Sequence, residues 1–255
     1  PSLTPTQGGP TPTAFPAQLA IEPTVIPPGV PAGEVYRVSS PTPIEPRPDV
    51  NVERIVEDAL DYYAIGDYAE AARILREERE RSIPCYPSLV YFEVLSHAQM
   101  GDLDEADEVL AWAETYDPPQ RQYEDCQGSP LLTAAEAEVA YLQNPASPAA
   151  LRLSEQALND LTDFVPAILT RTRAQLAQGS IADAWQTVNR ALDDHPNDAN
   201  LLLLIAEVEL AGEQPVAALD YIGHALYIDP DLLSALYLQA EAYLMLADGA
   251  PPKSE

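Results

Sequence analysis

Cys85 and Cys126 are the only cysteines in the chain, and His97, His195 and His224 the only histidines. A nucleophilic cysteine needs a histidine or another cation beside it, and a thiolate metal site needs cysteines in close pairs. Neither pattern occurs. Instead, each cysteine precedes a predicted helix, in two loops on the same edge of the chain. Bridging them is the chemistry that this placement favours, and it would point to an oxidising compartment. Two free thiols in a reducing compartment are the alternative. The histidines share no helical turn, so no H-x-x-x-H pair exists, and no nucleophile turn flanks them. His195 precedes a proline where two other segments have aspartate, which suggests a loop-closing role. The sequence contains 41 Asp and Glu against 13 Lys and Arg. No acidic pair stands out for acid–base work, and no calcium-loop, P-loop or dinucleotide glycine pattern occurs. No enzymatic activity, cofactor or metal is expected.

The charge itself narrows the partners. The formal net charge is −28. A surface this acidic repels nucleic acid and anionic lipid, so neither is expected as a partner. The most apolar run, 201–210, is interrupted by Glu207 and Glu209 and is too short to span a membrane.

Composition divides the chain. Of 26 prolines, half lie in residues 1–48. That segment carries Arg37 and Arg47 against three glutamates, so residues 49–255 hold −27 of the −28. Proline fixes φ and removes a donor, so an extended tail is expected over 1–48. Ser2, Thr4, Thr6, Thr11, Thr13, Thr24, Ser39, Ser40 and Thr42 stand among these prolines. Serine and threonine beside proline make the composition of O-glycosylated stalks, whereas no N-x-S/T sequon occurs. A chain starting at Pro1 has lost a leader or is a piece of something longer.

From residue 49 to 250 the pattern is helical throughout, and residues 251–255 are expected to fray. The predicted hairpins run over 52–81, 88–115, 131–161, 165–193 and 200–228, with a single helix over 232–246. Gly101 to Pro118 is the best-formed unit. Gly101-Asp102 breaks one helix and starts the next; Ala106, Leu110 and Ala113 share a face; Pro118 ends the run. Gly66-Asp67-Tyr68 and Gly179-Ser180-Ile181 repeat its turn. Ala71, Ala184 and Ala218 repeat Ala106, and Ala191 and Ala225 repeat Ala113. Ala59, Ala206 and Ala240 are the small residues of the first helices, and Pro196 and Pro230 repeat the closing proline.

A helix–turn–helix period of about 34 residues carrying these positions resembles the tetratricopeptide repeat (TPR). The resemblance implies an all-α, right-handed solenoid of about five hairpins plus a terminal helix, preceded by the extended tail. It also implies an interaction protein, since such repeats serve as adaptors. In the repeat register the inner face carries Tyr91, Leu95, Leu169, Arg173, Leu203, Glu207, Tyr237 and Glu241. That set lacks the basic clamp of many peptide-binding members and suits an extended apolar strand. The terminal helix has Leu233, Leu236, Tyr237, Tyr243 and Leu244 over a wide arc, as if to stack on a neighbour. The layout is similar to subunits of glycosylated extracellular fibres that microbes build from these repeats. It gives two expectations: a secreted head-to-tail homopolymer with the tail held by a neighbour and bearing glycans, or a monomeric periplasmic or cell-surface adaptor binding a protein or peptide in its concave groove.

Overall fold

The structure is a computed structural model and describes residues 50–81, 85–116 and 126–248. The tail, with its nine candidate glycosylation positions, and the expected fray at 251–255 lie outside those residues. The described chain forms α1 (Val50–Ala64), α2 (Tyr68–Arg81), α3 (Pro87–Met100), α4 (Leu103–Thr115), α5 (Pro130–Gln143), α6 (Pro148–Asp160), α7 (Val165–Ala177), α8 (Ile181–Asp194), α9 (Ala199–Ala211), α10 (Pro215–Ile228) and α11 (Leu233–Asp248). No strand occurs among the described residues. The architecture is the all-α solenoid of helical hairpins expected from the repeat pattern.

Helix ends explain the hairpins. In four of them the first helix closes through one residue in the left-handed region. Gly66, Gly101 and Gly179 hold φ near +80°, and the glycine N–H and the one after it return to the last turn. Gly101 N–H donates to Ala98 O at 3.0 Å and Asp102 N–H to His97 O at 3.0 Å, which satisfies carbonyls otherwise orphaned at a helix end. The fifth hairpin reaches the same closure with Glu213 at φ 59°, not with Gly212, whose φ is −82°. The third hairpin uses no such residue. Ser147 Oγ there accepts from Ala149 N–H at 3.2 Å ahead of Pro148, giving a proline-entered cap.

Each helix packs on its chain neighbours. The odd-numbered helices also pack on the next odd-numbered helix, from α1–α3 through to α9–α11, whereas no even–even contact of that kind occurs among the described residues. The odd helices therefore form one continuous layer, and the even helices lie outside it. Alanines sit at the crossings. Ala71, Ala106, Ala184 and Ala218 are fully buried, as are Ala113, Ala225, Ala137 and Ala206. A small residue there lets two helix axes approach closely.

One buried ionic knot interrupts the apolar core. Glu93 of α3 is 0% exposed. Arg79 of α2 meets it with Nε at 2.7 Å and Nη2 at 3.0 Å, and its guanidinium lies 4.6 Å over the Trp112 ring of α4. Arg76 approaches Glu93 at 3.7 Å, Glu105 at 3.4 Å and His97 Nε2 at 3.0 Å. The REERER run at 76–81 looks like plain solvated surface in sequence. Arg79 instead turns inward, Arg76 stays half-exposed beside it, and the two join three helices.

Candidate functional site

The odd-helix layer presents a row of equivalent positions, one per repeat. They are Leu60, Leu95, Glu138, Arg173, Glu207 and Glu241 on α1, α3, α5, α7, α9 and α11. Charge thus enters the row at α5 and continues to the end. Arg173 donates to Glu207 from Nη2 at 3.2 Å and from Nε at 3.4 Å, across a sequence separation of 34. Burial opposes the Arg173 charge. Glu207 outweighs it, with Glu138 and Tyr141 adding to the effect, so the guanidinium is held protonated more firmly than usual. Thr170, one turn before Arg173, donates to Glu138.

Tyrosines flank this row. Burial, then Glu138 and Glu207, push the Tyr141 phenol up, against the opposing pull of Arg173. Tyr63 is also pushed up, first by burial and then by Tyr68 and Glu138. These hydroxyls stay neutral over the ordinary pH range and can serve as donors and acceptors. The arrangement offers polar and aromatic contacts along a strip, with one arginine outnumbered by three carboxylates.

The sequence-derived groove set divides when placed. Leu95, Leu169, Arg173 and Glu207 are half-buried on the odd-helix layer, and Tyr237 is 70% exposed near its end. Tyr91 and Leu203 are corrected to core residues, at 2% and 5% exposure. Tyr91 packs its ring 5.0 Å from Phe92 and 5.7 Å from Phe164, because the layer α3–α5–α7 closes over it. Glu138, Tyr141, Thr170 and Tyr63 escape the sequence reading. Glu138 and Tyr141 lie on the hairpin without a turn glycine, where the register has no anchor, but counting one repeat back from Arg173 finds Glu138.

The stacking set Leu233, Leu236, Tyr243 and Leu244 is exposed on α11. Cys85 and Cys126 form a disulfide with Cα atoms 5.9 Å apart, just ahead of α3 and α5. His97 is tied to Arg76, and His195 closes α8 through its backbone N–H to Ala191 O at 2.9 Å. No cluster of three or more metal-ligating side chains exists among the described residues. No described helix is long and apolar enough to cross a membrane.

No protein-family model matches the chain, and no curated protein matches it either. Solved structures do. A thermophilic TPR protein from Thermus thermophilus superposes with a TM-score of 0.62 at 17% identity, over 75% of this chain and 98% of that one. A TPR protein from Parabacteroides merdae superposes with a TM-score of 0.50 at 16% identity, over 76% of this chain and 73% of the other. Stacked hairpins, alanines at the crossings and these superpositions together establish that the chain has the tetratricopeptide-repeat fold.

Proposed function

We propose that this chain is a non-enzymatic interaction scaffold that holds an extended, basic segment of a partner protein along its odd-helix layer. The charged row Glu138–Arg173–Glu207–Glu241 carries the reading. Its single arginine is bonded to Glu207 and also feels Glu138, so three carboxylates share one cation and the strip keeps a net negative charge, with Glu241 exposed to solvent. Complementary charge steers encounter and fixes register more than it adds affinity. Titration with equal-length extended peptides tests it. Lysine- and arginine-bearing peptides bind, acidic ones do not, and Glu207→Lys reverses the preference. Equal binding of both peptide classes, or none by either, contradicts the proposal.

A second reading rests on the exposed apolar face of α11: secreted subunits that join head to tail into an extracellular filament, with residues 1–48 held by a neighbour and O-glycosylated. The Cys85–Cys126 bridge supports an oxidising compartment for it. On this reading α11 stacks on the first hairpin of a neighbour, where Tyr62 stands exposed among charged side chains of α1, and residues 1–48 strengthen the join. Deleting them is expected to abolish polymers, and the intact mass of native material is expected to exceed the sequence mass by sugar increments. Polymers that survive the deletion, or an unmodified mass, count against it.

A further inference from the structure

The final described helix, α11, is apolar on two sides. Ala235, Leu238 and Ala242 are buried against α9 and α10. On the opposite side, Leu233 is 79% exposed, Leu236 46%, Tyr237 70%, Tyr243 54% and Leu244 66%, with Ala240 and Ala247 exposed between and beyond them. In the other first helices the equivalents of Leu236 and Ala240 are covered by the following hairpin partner: Leu202 and Ala206 on α9, Ile168 and Thr172 on α7, Val90 and Val94 on α3, all buried. Nothing among the described residues covers α11 in this way. The side chains sit at steps of three and four, 233, 236, 240, 243 and 247, which is the spacing of a helix–helix seam.

The occupant can be read from the sequence of the stripe. It is nearly symmetric about Ala240. Four residues to either side stand Leu236 and Leu244, and three to either side stand Tyr237 and Tyr243. Two copies of α11 laid antiparallel with Ala240 at the crossing set Leu236 of one against Leu244 of the other, and Tyr237 against Tyr243. The small Ala240 allows the close approach. The stripe carries no charge, in a chain of net charge −28, and Glu241 and Asp248 fall beside it. A head-to-tail contact with α1 lacks this complementarity. Tyr62 is exposed on α1, but it stands among the exposed Glu53, Arg54, Glu57, Asp58 and Asp61, and burying charge against an apolar stripe is unfavourable.

We infer that the exposed face of α11 is a homodimer surface, in which α11 of one copy packs antiparallel on α11 of a second about a twofold axis beside Ala240. The contact is isologous, so it closes after two copies. It does not depend on the reading of the charged row.

Two variants of the full chain test it. For the unmodified chain, sedimentation equilibrium gives twice the 27.7 kDa chain mass. Leu236→Glu weakens self-association by at least about tenfold. That variant keeps the helical circular dichroism of the parent, because Leu236 touches solvent and not the core. Ala240→Cys then forms an intermolecular disulfide on mild oxidation, since only a twofold axis at this position places residue 240 beside itself. Three results overturn the inference: a monomer at every concentration, a Leu236→Glu protein that associates as before, or an assembly in which Cys at 240 forms no cross-link. An open polymer lacking the 240–240 cross-link would favour the head-to-tail join instead.

Discussion

Arg79 is the side chain on which the first two hairpins depend most. Its guanidinium makes two hydrogen bonds to the fully buried Glu93 and covers Trp112. Removing one partner of a buried ion pair leaves a desolvated charge behind, which costs far more than the pair contributes as a whole. Arg79→Ala is expected to lower stability by about 3–5 kcal/mol in urea unfolding. The double variant Arg79→Met, Glu93→Leu is expected to recover most of that loss. A small effect of Arg79→Ala would mean that Arg76 already compensates Glu93. His97 sits beside the same knot. Burial lowers its pKa, and Arg76 lowers it further, while Glu93, Glu105 and Asp102 pull weakly the other way. With the folded value below the unfolded one, the unfolded state takes up the proton first. The stability contributed by neutral His97 is therefore complete above the ordinary histidine range and is lost as pH falls through it toward the folded value. Thermal midpoints of the wild type are expected to drop between about pH 7 and pH 5 more steeply than those of His97→Gln. Parallel curves would show that His97 does not couple to folding.

The turns show how far the elements were legible. Helix boundaries come within a residue or two of the sequence expectation, because glycine, proline and the alanine register all point to the same ends. The fifth hairpin is the exception that sequence obscures. Gly212 looks like the closing residue, yet the left-handed position falls on Glu213, which stands 34 residues after Gly179 and so keeps the repeat in phase. A β-carbon at that φ costs roughly 1–2 kcal/mol. Glu213→Gly is therefore expected to raise stability by about 1 kcal/mol. Gly101→Ala is expected to lower it by a similar amount. A Cβ at Gly101 would meet nothing within 4 Å, so the cost there is conformational and not steric. Equal melting of all three proteins would contradict this account of the turns. The site was harder to read than the fold. Periodicity names the face on which Tyr91 and Leu203 lie. It does not say that α5 and α11 close over them, because burial depends on neighbours one repeat away. The inward turn of Arg79 escapes for the same reason: a run of mixed charges reads as solvated until a buried carboxylate on another helix is known.

At the scale of the whole molecule, the two proposals use different surfaces. The odd-helix layer carries the charged row, and the exposed side of α11 carries the uncharged stripe. The even helices carry exposed aromatics too, among them Trp185 and Tyr227. Trp185 is committed to Glu209 through its indole N–H at 3.0 Å. Function as a scaffold requires that a partner choose the odd layer over this outer one. A photo-reactive phenylalanine analogue placed at Tyr141 of α5, and in a separate protein at Tyr227 of α10, tests that choice directly. With a lysine- and arginine-bearing extended peptide present, illumination is expected to join the peptide to the chain at position 141 and to leave the protein substituted at 227 unlabelled. Labelling at 227 alone, or equally at both positions, would contradict the account.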